Sequence, residues 1–249
     1  MDVYRNPENQ NSIEILEASP GFRDICISDR EYLFKHSTLE IFNERSSFLK
    51  KNGNGSKFIH NQGDNADYVY FVFAGRVREV INNGSKNEGL SVVNLIQDYG
   101  WFGIEEFIGE KSQEYYADAE SLKRTELLRV PSRMFEEIYE KSSSMKDVVI
   151  SEIAKLNSFL RFQSSLFNLG DAEKFVQFLR RAVDEYAIET SEGYLLDWKK
   201  YEIASLIGTS REAISRQITN LSNEGLLKRL GGSRNFLIDA EKIHELGYR

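Results

Sequence analysis

The sequence predicts an α+β chain: an N-terminal sandwich or barrel of roughly eight short strands, one long helix, and a C-terminal helix pair with a hairpin. Three observations carry this. From about Leu39 to Val130 apolar residues recur at period two between Asn/Gly turn signals, with no long helical pattern among them. From Ser143 to Phe167 the spacing becomes helical. In Trp198–Phe236 two short helical patterns meet at Gly208 and lead into a basic Gly-Gly hairpin.

Taken in order, residues 1–27 are polar and weakly patterned, with one apolar cluster at Ile13, Ile15 and Leu16, and read as a loosely attached lead-in. Ser28-Asp-Arg-Glu31 is a capping box, so a short helix carrying Tyr32, Leu33 and Phe34 is expected to begin there. Strands are expected around Lys57–Asp64, Tyr68–Ile81 and Leu90–Ile96, with Asn83-Gly84 as a hairpin signal. Glycines 63, 75, 100 and 103 mark tight turns or positive φ. Trp101, Phe102, Phe107, Tyr115 and Tyr116 read as core at strand spacing, with an unusual pocket as the alternative. Ser132–Lys141 is a short amphipathic helix. The expected divisions are a sensor-type domain over 1–141, a long dimerisation helix over 142–169 and a DNA-binding domain over 170–249.

The long helix places Met145, Val149, Ile153, Leu156, Leu160, Gln163 and Phe167 at steps of 4, 4, 3, 4, 3 and 4, close to the 3.5-residue spacing of a two-helix seam. About 25 helical residues span nearly 40 Å, too long for one small barrel to cover. The spacing therefore predicts a parallel homodimer seam with Gln163 as its polar register position. A helix buried wholly within one subunit is the alternative.

Composition narrows the function. With 249 residues, 41% hydrophobic and 29% charged, the chain has the make-up of a soluble globular protein of one or two domains. A lone Cys26 supports neither a disulfide framework nor a cysteine cage for zinc or iron–sulfur, and a reducing, cytoplasmic compartment is expected. No signal peptide and no membrane span are read. A phosphate-binding Gly loop, a nucleophile elbow, HExxH and a Cys/His pairing are all missing, which argues against an enzyme. Net charge is −7, but Trp198–Arg249 holds nine Lys/Arg against six Asp/Glu. An acidic body with a basic tail suits a chain that docks one end on phosphate.

The tail explains how. Gly170-Asp171 caps a helix with an apolar stripe through Phe175, Phe178, Leu179, Ala182 and Val183, and Glu189–Gly193 with Tyr194-Leu-Leu reads as a turn and a strand. Asp197 is expected to cap the first helix of the pair, which turns Ile203, Ala204, Leu206 and Ile207 inward. Gly208 permits the turn, and Ser210 caps a second helix running to about Glu224. Ile214, Ile218 and Leu221 must face the core, so Arg211, Glu212, Ser215, Arg216 and Thr219 fall towards the opposite face. A recognition helix needs this geometry, since its N-terminal end enters the major groove first. Arginine bonds guanine O6 and N7 bidentately, and glutamate accepts from cytosine N4 or orients Arg216. In the hairpin, Lys228, Arg229 and Arg234 are placed to touch phosphate. A protein-docking module built on the same helix pair is the rival reading.

The run Glu202-Ile-Ala-x-x-Ile-Gly-x-Ser-Arg-Glu-x-Ile-Ser-Arg, followed by Leu221-x-x-Glu-Gly-Leu, resembles the winged helix-turn-helix of the Crp/Fnr family of bacterial transcription regulators. Lys57 through Gly63-Asp64, Tyr70-Phe-Val and Gly75 resembles that family's cyclic-nucleotide-binding-type β-roll, a jelly-roll-like fold. The resemblance covers about residues 28–246. It implies a homodimer on palindromic double-stranded DNA, RNA polymerase as a partner, and a signal read by the roll. Arg211, Glu212 and Arg216 match the base-reading trio of the cyclic-AMP receptor branch, which suggests a TGTGA-like half-site.

The departures from the family bear on the signal. In cyclic-nucleotide binders a glutamate holds the ribose and an Arg-Ser pair the phosphate. Ile104 stands in the glutamate's place beside Glu105 and Glu106, and Gln113-Glu114-Tyr115 falls where Arg-Ser belongs. A carboxylate there repels a cyclic phosphate, so no cyclic-nucleotide binding is expected. Cys26 alone cannot hold the oxygen-sensing branch's cluster. A haem branch is conceivable through Cys26, His36 or His60, and each reads as an ordinary surface or packing residue. No cofactor is expected, with room left for an unidentified small-molecule effector, and a virulence-regulator-like branch is the nearest analogy.

Overall fold

The computed structural model describes residues 2–4, 19–42, 58–81, 91–108, 114–230 and 235–246, which fall into two compact units, Met1–Leu160 and Arg161–Arg249. The first unit contains, in chain order, β1 (Asp2–Tyr4), α1 (Ile27–His36), β2 (Thr38–Phe42), β3 (Phe58–His60), β4 (Tyr68–Ala74), β5 (Arg76–Ile81), β6 (Ser91–Gln97), β7 (Trp101–Phe102), a 3-10 turn at Glu105–Phe107, β8 (Asp118–Ser121), β9 (Thr125–Pro131) and α2 (Ser132–Lys141). Helix α3 (Ser143–Ser165) starts in this unit and ends in the second.

The strands make two antiparallel sheets, ordered β1-β2-β9-β4-β7 and β3-β8-β5-β6. Alternation along β4 shows why its sequence is apolar without a break. Val69 and Phe71 pack into one cluster with Phe22, Leu33, Trp101, Phe135 and Met145, while Tyr70 and Val72 enter a second with Val77, Phe102, Tyr115 and Leu127. With both faces covered, neither parity can be polar. Gly75 joins β4 to β5 at φ 128°, and a Cβ there would lie 2.6 Å from Thr125 Cα, so only glycine fits.

Several expectations change. The described parts of residues 1–27 are not loose: β1 pairs with β2, and Phe22 and Ile25 are buried in the first cluster, while Ile13, Ile15 and Leu16 lie outside the described residues. Two apolar residues in so short a stretch show no period, and the residues they pack against, such as Phe71 and Trp101, are distant in sequence. Helix α1 begins at Ile27, one residue before the supposed cap Ser28, with Cys26 in the cap position and no side-chain bond to the backbone of the first turn. The aromatic set divides between clusters, Trp101 in one and Phe102 and Tyr115 in the other. His60 is enclosed, its ring 3.6 Å from that of Tyr115 between centroids, and burial pushes its pKa down to about 4. His36 Nδ1 bonds the Tyr32 carbonyl one turn back at 2.8 Å. Both histidines are thus engaged in packing or local helix bonding.

The seam expectation needs the largest correction. Met145 is 0% exposed, and Val149 lies with it in the unit's own core, so neither is on an outer face. The first turns of α3 cover the roll. The outer apolar row is instead Ile150, 64% exposed, with Ile153 and Leu160, and beyond the helix Phe167, 81% exposed. Leu156 is half-buried. Gln163 is committed elsewhere: its Nε2 donates to the Leu206 carbonyl at 2.6 Å.

The second unit comprises α4 (Asp171–Glu185), β10 (Ile188–Thr190), β11 (Gly193–Asp197), α5 (Lys200–Leu206), α6 (Arg211–Asn223), β12 (Leu227–Arg229), β13 (Asn235–Ile238) and α7 (Ala240–Glu245). Its sheet runs β10-β11-β13-β12, antiparallel throughout. Phe175, Phe178, Trp198, Ile203, Ile214 and Ile238 are fully buried within it. Asp197 does not cap α5. It ends β11, and the cap position is Lys199, whose N–H donates to Glu202 Oε2 at 3.1 Å.

Candidate nucleic-acid interface

Gly208 adopts φ 62° between α5 and α6, a left-handed conformation that lets the two helices meet across two further residues. The turn is tied down on both sides. Thr209 Oγ1 donates to Asp171 Oδ1 at 2.5 Å, and Lys174 Nζ reaches the Gly208 carbonyl at 3.3 Å. Ser210 then caps α6, its Oγ accepting from Ala213 N at 3.0 Å, as the sequence predicts. Cap and turn together fix the direction in which α6 leaves.

Ala213, Ile214, Ile218 and Leu221 are buried beneath α6. Arg211, Glu212, Arg216 and Thr219 are exposed, and Ser215 is half-buried between the two faces. Arg211, Glu212 and Arg216 make no ion pair or hydrogen bond among the described residues. Glu212 therefore does not orient Arg216, although the two stand four residues apart on one helix.

The neighbouring residues are engaged. Thr219 Oγ1 donates to the Ser215 carbonyl at 3.0 Å and accepts from Arg229 at 2.7 Å, which pins β12 to the second half of α6. Lys200 Nζ donates to Ser215 Oγ at 3.0 Å. Lys228 Nζ pairs with Glu192 Oε2 at 2.8 Å, and this ammonium holds the Glu192 carboxyl below its ordinary range. An open groove runs between α6 and β12, lined by Thr219, Ser222, Asn223, Gly225, Lys228 and Arg229. Arg234 lies outside the described residues. Sequence reasoning missed Lys200 and Glu192, which sit on α5 and on the β10–β11 turn. The only signal was the Lys199-Lys200 pair after Trp198.

The roll has the opposite character. Ile104 is buried in the first cluster, and Glu105 Oε2 turns back to accept from Ile104 N at 3.0 Å. Tyr115 fills the interior, donating its hydroxyl to the Tyr68 carbonyl at 2.6 Å while its ring stacks on His60. Gln113 lies outside the described residues, and Glu114 is exposed. At the two positions where the sequence departs from the family pattern, the described residues are thus a buried apolar side chain, Ile104, and a stacked tyrosine, Tyr115.

Two domain families match this chain, one in each part. The cyclic nucleotide-binding domain family matches residues 54–142, and the Crp-like helix-turn-helix domain family matches residues 173–246. The CRP-like protein Clp of Xanthomonas euvesicatoria is 26% identical over 185 residues, 70% of this chain and 77% of that protein. Among solved structures, the c-di-GMP responsive global regulator CLP of Xanthomonas campestris superposes with a TM-score of 0.63 at 19% identity, over 86% of this chain and 99% of that one. FixK2 of Bradyrhizobium japonicum gives 0.65 at 16% identity, over 86% and 98%. A CooA variant from Carboxydothermus hydrogenoformans gives 0.65 at 17%, over 85% and 88%. These structures share the fold. A nucleotide-binding-type roll followed by a Crp-like helix-turn-helix, matched in that order over most of its length, makes this chain a member of the Crp/Fnr family of transcription regulators.

Proposed function

We propose that the chain acts as a homodimer on a two-fold symmetric duplex site, with α6 of each copy in a major groove. Arg211 and Arg216 read guanine, Glu212 accepts from cytosine, and a TGTGA-like half-site follows from that trio. Lys228, Arg229 and Arg234 contact phosphate. The observation that carries this reading is the outward trio Arg211, Glu212 and Arg216, unbonded on a helix fixed by its Ser210 cap.

The dimer seam is the outer row of α3. Ile150, Ile153, Asn157, Leu160 and Ser164 follow steps of 3, 4, 3 and 4, a heptad pattern, and Phe167 extends it by another 3. Large apolar residues left in water at that spacing support a second copy as their cover. The two α6 helices would then read half-sites about 34 Å apart. The signal enters through the roll, is not a cyclic nucleotide, and biases a pre-existing equilibrium between poses. RNA polymerase is the downstream partner, in the cytoplasm of a bacterium, and the position of the operator sets activation or repression.

Selection of bound duplexes from a random pool tests the reading. The expected product is a palindrome whose half-sites lie one helical turn apart. Recovery of an asymmetric or featureless pool would defeat it.

A further inference from the structure

Six glutamates are buried among the described residues: Glu40, Glu79, Glu106, Glu120, Glu152 and Glu202. Four of them have a cation. Arg129 meets Glu40 at 2.7 Å, Arg78 meets Glu120 at 2.6 Å, Lys155 meets Glu152 at 2.7 Å and Lys199 approaches Glu202 at 3.8 Å. Glu79 and Glu106, 0% and 3% exposed, have none among the described residues. They also lie near each other and near the half-buried Glu105, so three carboxylates share one interior region of the roll.

The hydrogen bonding there is incomplete. Asn94 Nδ2 donates to Glu79 Oε2 at 2.7 Å, and Tyr116 N reaches Glu106 Oε1 at 3.4 Å. Glu79 Oε1 and Glu106 Oε2 are shielded from water and accept no bond of ordinary geometry, although the Tyr116 hydroxyl is close to Glu79. Three carboxylates cannot all stay ionised in a dry interior without a counter-charge, because the lone charge is too costly and the group takes a proton instead. A neutral carboxylic acid also supplies the donor that a bare neighbouring carboxylate oxygen lacks.

We propose that Glu79, Glu105 and Glu106 form a proton-binding site in the roll, and that its occupancy is the signal passed to α3. The inference rests on the reading above that the roll carries the input. The groups facing the site are Asn94 on β6, Tyr115 and Tyr116 before β8, and Glu152 on α3, itself paired with Lys155. Glu152 is the link outward. It repels Glu105, and its Oε2 accepts from Trp101 N at 3.4 Å, so a charge gained at Glu105 is felt by the helix that carries the outer apolar row.

The direction with pH follows from the shifts. Burial first, and then neighbouring carboxylates, push Glu79 well above its ordinary value and Glu105 from 4.5 up to about 7, and burial raises Glu106. The folded chain thus holds more protons than the unfolded one between these values. Stability from the protonated cluster is fully present near pH 4.5 and is lost as pH rises through about 7.

The test compares the full-length chain with E79Q/E106Q, in which two acids become neutral isosteres. Infrared spectra at neutral pH should show a protonated-carboxyl band in the wild type that the double variant lacks. Affinity for the selected duplex at fixed salt should change at least about fivefold across about pH 5–8 in the wild type, the low end of an ordinary allosteric coupling. It should stay within about twofold in the variant. Absence of the band, or equal pH profiles in the two proteins, overturns the inference. If neither protein binds any duplex at any pH, the regulator reading fails separately, and the infrared band still decides whether the site holds a proton. E79Q alone serves if the double variant does not fold.

Discussion

The two ends of this molecule carry unpaired charge in opposite settings. Arg211, Glu212 and Arg216 are exposed on the surface of α6, where water solvates them. Glu79 and Glu106 lie inside the roll with no cation among the described residues, each with one oxygen shielded from water and unbonded. The first arrangement costs little and suits a large polyanionic partner with many contacts. The second is tolerable only if something small neutralises the charge, and it turns a binding event into a conformational preference. Other buried charge in the roll is neutralised conventionally, as Arg78 with Glu120 illustrates, so the bare cluster is a local feature of the interior.

The largest expected effect sharpens where the roll ends and the seam begins. Met145→Ala removes a side chain buried with Phe135 and Val149, and should lower the stability of the first unit by about 2–5 kcal/mol in denaturant titration. Sedimentation at native conditions should show unchanged self-association. Dissociation with undiminished stability would return Met145 to the seam and void the outer row through Ile150 and Ile153.

The next effect isolates the outward charge. Arg211→Ala or Arg216→Ala should weaken binding to the selected site by about 1–3 kcal/mol and relax preference at one base position each. Thermal unfolding of the free protein should not move, since neither guanidinium bonds anything in it among the described residues. Unchanged affinity in both variants would remove α6 from the groove and favour a protein-docking role.

The sequence made the polar face of α6 legible because a capped helix with three buried apolar positions leaves one direction for the rest. Ser210, Gly208 and the trio were all found that way. Met145 and Val149 were misplaced for a related reason: one helix carries two apolar rows roughly a quarter to a third of a turn apart, and spacing alone cannot say which row meets the roll. Phe22 and Ile25 escaped notice because their partners, Phe71 and Trp101, are distant in sequence. The acid cluster was visible only in part. Glu105 and Glu106 drew attention only as neighbours of Ile104, but Glu79 on β5 joins them from a distant part of the sequence, and no local period reports a contact of that range.

The smallest effect separates two uses of a lysine in the wing. Lys228 pairs with Glu192 across the sheet, with both side chains largely in water. Such a pair contributes little to folding, so Lys228→Ala should leave the unfolding curve in place. Its consequence should appear on DNA. If Lys228 leaves Glu192 for a phosphate, the variant should bind all duplexes more weakly by a similar factor, and the log–log salt slope should fall by about 0.9 per copy, about 1.8 for the homodimer. An unchanged slope would mean that Lys228 keeps its partner in the complex and that Arg229, beside it on β12, faces the backbone alone. Glu192→Gln discriminates further. Freeing the ammonium should raise affinity at low salt if Lys228 is a phosphate contact, and should do nothing if it is a strut of the wing.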